Sequence, residues 1–200
     1  MSVWMHGTSS SLGVLYWIFG TDGIHWVSLA EEAETGWALA QARFPGVVFA
    51  DSGMVPDHWE QALLAAVERP VSHSITVPLV LHGTKFQLAV WDVVRAISPG
   101  CILTYAEVAR RSGYPRAVRA VGNACGANPI PFLIPCHRVV SSGGRWGGYG
   151  LGLPIKETLL WREGVVRERT SPLTAHARIP LLRLGNRHDV SDGQWFGSSI

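Results

Sequence analysis

The sequence predicts an α+β fold, in which a small N-terminal α/β domain is followed by a helical C-terminal domain with a helix-turn-helix. Two apolar runs joined by a tight turn indicate strands near the N-terminus. Farther along, a helical periodicity follows an extended connector, and two short helix signals separated by a glycine come next. We therefore expect an α/β domain over residues 1–76, a C-terminal domain over residues 77–164 and a tail of uncertain structure over residues 165–200.

The composition is that of a globular protein. Of the 200 residues, 47% are hydrophobic, which is enough for a substantial core. No stretch is long and apolar enough to span a bilayer, and the N-terminus does not have the basic start and apolar segment of a secretory signal. We expect a soluble, cytoplasmic protein without a membrane partner, whereas the formal net charge of +2 leaves nucleic-acid binding open.

The N-terminal elements each have a local signal. Residues 14–20 and 24–30 are apolar and aromatic, and Thr21-Asp22-Gly23 between them is typical of a turn that joins antiparallel strands. Residues 31–44 have a helical pattern. Residues 47–50 could add a further strand.

Two helices are expected on either side of a connector. The first covers residues 57–69, with Asp57 as its cap. Residues 72–83 contain Pro78 among alternating aliphatic residues, which predicts an extended connector near the domain boundary. The next helix ends at Ser98-Pro99-Gly100, and its apolar face consists of Phe86, Val90, Val93, Val94 and Ile97.

A helix-turn-helix candidate follows. The segment Thr104-Tyr105-Ala106-Glu107 matches a capping box, which predicts a helix from Tyr105 to about Ser112. Gly113 ends that helix, and Pro115 opens a second one that runs toward Cys125.

The second helix has an unusually small outer face. On a helical wheel, Val118, Val121 and Cys125 point inward. Small side chains on an exposed helix allow close approach to a surface, which favours the narrow minor groove of DNA. The alternative is an ordinary packed helical pair with no role in binding nucleic acid. The predicted outer-face residues are Arg116, Arg119, Ala120, Asn123 and Ala124.

Cys136 is the candidate nucleophile. It follows a rigid, proline-rich apolar stretch and precedes His137 and Arg138. A neutral thiol is a poor nucleophile, so a nearby base or positive charge must favour the thiolate, and both neighbours are plausible sources. On an extended strand, adjacent side chains point to opposite faces; direct contact with His137 is then not assured, and a bridging water is one route for the proton. The alternative is a structural thiol, the interpretation kept for Cys101 and Cys125.

The segments 116–122, 128–129 and 134–139 resemble the signature of O6-alkylguanine-DNA alkyltransferases. The similarity extends over about residues 77–164, and the N-terminal part fits only loosely. The resemblance implies a small α/β domain followed by a helical domain that binds the DNA minor groove.

The resemblance also implies roles for individual residues. Cys136 is then the alkyl acceptor and His137 its water-mediated base. Glu163 orients and charges the histidine, and Asn128 braces the turn around the thiol. Tyr105 then rotates the nucleotide phosphate and donates a proton to the departing guanine. Arg119 fills the space that the base leaves in the stack, and Tyr149 and Val139 line the guanine pocket.

The implied activity is irreversible transfer of an alkyl group from O6-alkylguanine, and from O4-alkylthymine, in double-stranded DNA to Cys136. Each molecule acts once, as a monomer and without a cofactor. No cysteine precedes Cys101, so the N-terminal zinc site of some relatives is not expected and we predict no metal.

Three other interpretations of these residues remain open beside alkyl transfer. Singly, Arg119 fits a surface charge, Tyr105 a packing residue and Glu163 a helix-end carboxylate. Cys136 and His137 would also fit a cysteine hydrolase, although their adjacency makes that geometry awkward. A noncatalytic DNA-binding regulator would use the helix-turn-helix alone. The tail arginines, which either contact DNA or are simply solvated, are Arg167, Arg169, Arg178, Arg183 and Arg187.

Overall fold

The computed structural model describes residues 3–48, 55–69, 77–166 and 195–196. The predicted α+β class is confirmed, since small sheets and helices are mixed along the chain. The chain forms two compact units. One consists of Met1–His82 with Pro129–Leu133, and the other of Gly83–Asn128 with Ile134–Ile200.

The first unit is built on a three-stranded antiparallel sheet with the order β1-β2-β3. Its strands are β1 (Trp4–Ser10), β2 (Gly13–Gly20) and β3 (Gly23–Ala30). The predicted hairpin is confirmed as β2 and β3, whereas β1 was missed because its sequence is largely polar. Gly23 has a φ of +143°, and a Cβ atom there would lie 2.4 Å from the carbonyl oxygen of Pro78. The turn therefore requires glycine.

Two helices pack in the same unit, α1 (Ala33–Arg43) and α2 (Asp57–Glu68). Both were predicted. The cap prediction was wrong, because Pro56 occupies the N-cap of α2 and Asp57 lies in the first turn. The strand predicted at residues 47–50 does not form at residues 47–48, which are the part that the structure describes, and Val48 there is 90% exposed. Residues 49–50 and 72–76 lie outside the described residues.

The second unit begins with α3 (Lys85–Arg95), which confirms the predicted amphipathic helix. A capping box formed by Thr84 and Gln87 starts it. Trp91 on its buried face donates a hydrogen bond from Nε1 to the carbonyl oxygen of Ala124, at 2.8 Å. This bond ties α3 to the helix that carries Ala124.

A small sheet follows, with β4 (Cys101–Thr104) at its centre. It pairs in parallel with β5 (Val139–Val140) and antiparallel with β6 (Trp195–Phe196). None of these strands was predicted, because runs of two to four residues show no periodicity. The strand β6 lies in the predicted tail, whose five arginines lie outside the described residues.

The helices α4 (Tyr105–Arg111) and α5 (Val118–Gly126) occupy the predicted helix-turn-helix region. The capping box is present, since the Thr104 side chain accepts from the Glu107 backbone and the Glu107 carboxylate accepts from Thr104 N. The predicted start of the second helix at Pro115 was wrong, because a turn precedes it and α5 begins at Val118.

The predicted faces of α5 are partly correct. Val121 is buried. Ala124 was wrongly assigned to the outer face, because it is 2% exposed, lies three residues after Val121 and accepts the hydrogen bond from Trp91. Val118 was wrongly assigned inward and is 39% exposed. The predicted outer-face residues that are exposed are Arg116, Arg119, Ala120 and Asn123.

The last helix of the unit is α6 (Leu153–Arg162), with proline in its first turn and Glu163 at its C-cap. Its buried residues include the ionisable Lys156 and Glu157. Among the described helices, none has the length and apolarity needed to cross a membrane.

Candidate active site

Cys136 lies in a tight helical turn. The segment Cys136–Arg138 is a 3-10 helix that follows Pro135, and Arg138 N donates to the carbonyl oxygen of Pro135 at 2.9 Å. The expectation of an extended backbone at this point was therefore wrong. The turn directs three consecutive side chains, all buried, into the second unit.

Asn128 holds the thiol. Its Nδ2 donates to Cys136 Sγ at 3.1 Å and to the carbonyl oxygen of Ile134 at 2.8 Å. Cys136 is 7% exposed. Burial raises the pKa of the thiol, while the Asn128 hydrogen bond and the positive charge of Lys156 act in the opposite direction. The thiol therefore stays protonated at neutral pH until something removes its proton.

His137 is fully buried and bonded to a carboxylate. Its Nε2 lies 2.8 Å from Glu163 Oε1, and its Nδ1 has no hydrogen-bond partner among the described residues. Burial lowers the pKa of His137 more strongly than Glu163 raises it, and Arg138 and Lys156 lower it further. The imidazole is therefore neutral at pH 7, with its hydrogen on Nε2 and a free lone pair on Nδ1. Glu163 thus acts on His137 in the expected direction, but burial outweighs its effect on the pKa.

Arg138 is the second buried partner of Glu163. Its Nη2 and Nε donate to Glu163 Oε1 at 2.9 and 3.0 Å, and its Nη1 donates to the carbonyl oxygen of Ile97. Gly100 N donates to Glu163 Oε2 at 3.2 Å. Burial alone would raise the pKa of Glu163, but the charges and hydrogen bonds of His137 and Arg138 hold it below its usual range. The carboxylate is ionised, and Arg138 balances its charge.

Lys156 is a second buried cation that the sequence analysis missed. Its Nζ donates to the carbonyl oxygens of Val139 at 2.7 Å and Trp146 at 2.5 Å. Burial lowers its pKa to about 8. The sequence did contain a usable signal. Lys156 lies seven residues before Glu163, which is about two helical turns, so the two side chains are expected on the same side of the chain.

A cavity of about 130 Å³ opens beside the thiol. Tyr105 and Tyr149 line it together with Cys125 and Cys136, and its other wall residues are the glycines Gly122, Gly126, Gly148 and Gly150. The hydroxyl of Tyr105 donates to the carbonyl oxygen of Gly148 at 3.3 Å, and burial raises the Tyr105 pKa to about 12. The Tyr149 hydroxyl is buried without a partner among the described residues.

Val139 does not line this cavity with the other predicted pocket residues. It is fully buried, and its carbonyl oxygen accepts the hydrogen bond from Lys156. The structure thus brings Tyr105 and Tyr149 to the cavity with Cys136, and it places His137 and Glu163 in the network behind the thiol.

An exposed basic surface lies on the two short helices of this unit. Its arginines are Arg110 and Arg111 at the end of α4, Arg116 before α5 and Arg119 in its first turn. Ala120 and Asn123 are exposed on α5. A positive surface with small side chains is suited to close contact with a polyanion.

The fold and the site define a protein with a buried free thiol, a histidine–carboxylate network and a cavity in the unit that carries a basic pair of helices. A family model described as "6-O-methylguanine DNA methyltransferase, DNA binding domain" matches residues 85–165. The chain belongs to the methylated-DNA--protein-cysteine methyltransferase family, as the resemblance predicted. The following relatives establish this.

A relative from Mycolicibacterium paratuberculosis, named methylated-DNA--protein-cysteine methyltransferase, is 38% identical over 130 residues, which are 65% of this chain and 71% of the relative. A protein of the same name from Methanosarcina acetivorans is 47% identical over 91 residues, 46% of this chain and 58% of its own. The chain spans about half the length of several curated relatives, between 41% and 58% for four of them.

A solved structure, Mycobacterium tuberculosis OGT in complex with DNA, aligns with a TM-score of 0.67 and 29% identity. The alignment covers 82% of this chain and 92% of that one. The aligned part is larger than the second unit alone, so the shared fold also includes part of the first unit.

Proposed function

We propose that this protein repairs DNA by transferring an alkyl group from the O6 atom of guanine to Sγ of Cys136, once per molecule. The observation that carries the proposal is the position of this thiol, which lies on a cavity, accepts a hydrogen bond from Asn128 and adjoins the buried His137–Glu163 pair. Relatives named for this activity support it.

The thiol must lose its proton for the reaction. Because the pKa of His137 is lowered and its Nδ1 is free, the neutral imidazole can take that proton, with a water molecule as the bridge. The negative charge of Glu163 stabilises the imidazolium that forms. Asn128 donates its hydrogen bond to the sulfur anion and holds it toward the cavity.

The sulfur anion then attacks the alkyl carbon. A carbon–sulfur bond forms, the bond between that carbon and O6 breaks, and the departing guanine takes a proton from the hydroxyl of Tyr105. Tyr149 contributes to the wall of the base pocket. The product is a stable thioether, so the protein acts once and needs no cofactor.

The alkylated carbon is hidden inside a duplex, and the base must therefore leave the stack at a cost of a few kcal/mol. We place α5 in the minor groove, where exposed Ala120 permits close approach and Arg116 and Asn123 contact the strands. Arg119 fills the space that the base leaves. O4-alkylthymine presents the same exocyclic alkyl ether and is the second substrate, and one monomer supplies every group.

The decisive experiment uses duplex DNA that contains O6-methylguanine. After incubation, the intact mass of the protein is measured and the modified peptide is mapped. We expect a gain of one methyl group on Cys136 and none in Cys136→Ser. The matched control is Cys101→Ala, which removes a buried thiol outside the cavity and keeps the transfer.

Other outcomes refute the proposal in different ways. Turnover of an ester or peptide without a stable adduct would indicate a cysteine hydrolase. Intact DNA binding without any methyl transfer would indicate a noncatalytic regulator.

A further inference from the structure

The acceptor cavity contains a second thiol for which the proposed transfer has no use. Cys125, in the last turn of α5, is half-buried and lines the cavity together with Cys136. All three cysteines of the chain are free. Cys101 lines a different cavity with Leu103 and Arg111, so the acceptor cavity holds two thiols and not three.

Asn128 contacts both cysteines, one through its backbone and the other through its side chain. Its backbone N donates to the carbonyl oxygen of Cys125 at 3.3 Å, and its side chain donates to Cys136 Sγ at 3.1 Å. Besides Cys125, α5 contributes only Gly122 and Gly126 to the cavity wall. No bulky side chain of this helix therefore separates Cys125 from Cys136.

We propose that Cys125 is a resolving thiol for Cys136, so that hydroperoxides convert the pair into a reversible disulfide across the acceptor cavity. The disulfide blocks alkyl transfer while it lasts, and it protects the acceptor sulfur from irreversible oxidation. The substrate class is a small hydroperoxide that fits the cavity, and hydrogen peroxide is the simplest member.

The reaction has two balanced steps. The Cys136 thiolate attacks one oxygen of hydrogen peroxide; the oxygen–oxygen bond breaks, the sulfur is oxidised to a sulfenic acid and hydroxide leaves. The Cys125 thiolate then attacks the Cys136 sulfur, a sulfur–sulfur bond forms, and the sulfur–oxygen bond breaks with loss of hydroxide. In total, two thiols and one peroxide give one disulfide and two waters.

Cys136 is the thiol that reacts first, because Asn128 donates a hydrogen bond to its sulfur and stabilises the anion. Burial raises the pKa of both thiols, to about 12 for Cys125. Only a small fraction of each is ionised at neutral pH, so the test uses a large excess of peroxide.

The test treats the reduced full-length chain with hydrogen peroxide, removes the peroxide with catalase, denatures the protein and labels the remaining thiols with a maleimide. Intact mass and peptide mapping follow. We expect loss of two hydrogen atoms, labelling of only one of the three cysteines, and a peptide that joins Cys125 to Cys136. Dithiothreitol should restore all three thiols.

Two variants complete the test. In Cys125→Ser, Cys136 should gain two oxygen atoms as a sulfinic acid that dithiothreitol does not remove. In Cys101→Ala, the disulfide should form as in the wild type. The proposal is overturned if the wild type forms no intramolecular disulfide, if the bridge includes Cys101, or if Cys136 reaches the sulfinic state equally fast with and without Cys125.

The mass measurement requires no DNA, so it can succeed or fail independently of the proposed repair activity. If alkyl transfer is also measured, oxidation of the wild type should abolish it and dithiothreitol should restore it. In Cys125→Ser, dithiothreitol should not restore the transfer that oxidation abolishes.

Discussion

The carboxylate of Glu163 has two buried partners, His137 and Arg138. In the proposed mechanism, its bond to His137 orients the imidazole and stabilises the imidazolium during proton transfer. Its ion pair with Arg138 reduces the net charge that His137 experiences. Burial lowers the pKa of His137 more than Arg138 does. In the proposed mechanism the base is therefore neutral at rest and becomes charged only when it takes the proton of Cys136, which suits a residue that must first accept a proton.

The variant Glu163→Gln should test this balance at the level of single residues. Glutamine cannot stabilise the imidazolium, so proton transfer from Cys136 becomes less favourable and the methyl-transfer rate at neutral pH should fall about tenfold or more. The rate should recover as pH rises and solvent removes the thiol proton directly, which moves the profile toward higher pH. Single-turnover kinetics from pH 6 to 10 measure the shift, and an unchanged profile contradicts the proposed network.

Glu163→Gln also leaves the Arg138 guanidinium buried without its counter-ion, which costs about 3–5 kcal/mol in proteins. Urea unfolding must therefore accompany the kinetics. The pH profile distinguishes the two effects, because a purely structural loss lowers the amount of active protein equally at every pH.

At the scale of the elements, two capping boxes fix where the helices α3 and α4 of the second unit begin. Thr84 and Gln87 start α3, and Thr104 and Glu107 start α4. Each box satisfies backbone donors that would otherwise be free and is worth about 1 kcal/mol. The second box places Tyr105 in the first turn of α4, where its hydroxyl reaches the cavity wall at Gly148.

The helix α5 supports a prediction about base flipping. Arg119→Ala should slow repair of duplex DNA by about tenfold or more, because the side chain no longer compensates for the lost base stacking, whose cost is a few kcal/mol. Transfer from free O6-benzylguanine should stay nearly unchanged, since that base needs no extrusion. The ratio of the two rate constants is the measurement.

The matched control for Arg119→Ala is Arg110→Ala, which removes another exposed arginine at the end of α4. Both variants lose one positive charge, and so both should weaken DNA binding modestly. Equal losses on duplex and free base in Arg119→Ala, or equal effects of the two variants, would contradict the flipping role.

At the scale of the whole molecule, Lys156 links three segments of the second unit. From α6, its ammonium donates to carbonyl oxygens in β5 and in the loop that contains Trp146 and Gly148. This buried charge makes the stability of the protein depend on pH. Folding lowers the Lys156 pKa from 10.5 to about 8, so the unfolded chain binds the proton more tightly.

The sign of this contribution follows directly. Between pH 8 and 10.5 the unfolded state retains a proton on Lys156 that the folded state loses, so this residue makes the free energy of unfolding rise with pH in that window. The expected rise is a few kcal/mol. Below pH 8 both states carry the proton, and the contribution is constant.

The measurement compares urea unfolding of the wild type and Lys156→Met from pH 7 to 11. The difference between their unfolding free energies should grow with pH, because only the wild type gains this stabilisation. The comparison cancels the opposite contribution of the buried thiols and tyrosines, whose raised pKa values destabilise the fold at high pH. A constant difference would show that Lys156 keeps its ordinary pKa.

The local signals of the sequence were sufficient for the main helices and the hairpin. Apolar periodicity identified α3, and the turn Thr21-Asp22-Gly23 identified the strands beside it. These signals lie within a few residues of the element they specify. The strands β4 and β5 carry no such signal, because pairing between distant segments, and not local pattern, defines them.

The motif around Cys136 was enough to identify the family, since its residues are adjacent in the chain. The charge balance of the site could not be predicted in this way. Glu163 meets Gly100 across 63 residues and His137 across 26, and Arg138 reaches the same carboxylate. Protonation depends on how deeply a group is buried and on which charges surround it, and both depend on contacts that only the folded chain makes.

The sequence by itself therefore determined the α+β class, the principal helices and the family. Only the tertiary structure decided that His137 is neutral, that Lys156 is a buried cation and that Cys125 shares the cavity with Cys136. Short-range backbone and periodicity rules act along the chain, whereas desolvation and charge pairing act through space between segments that folding brings together.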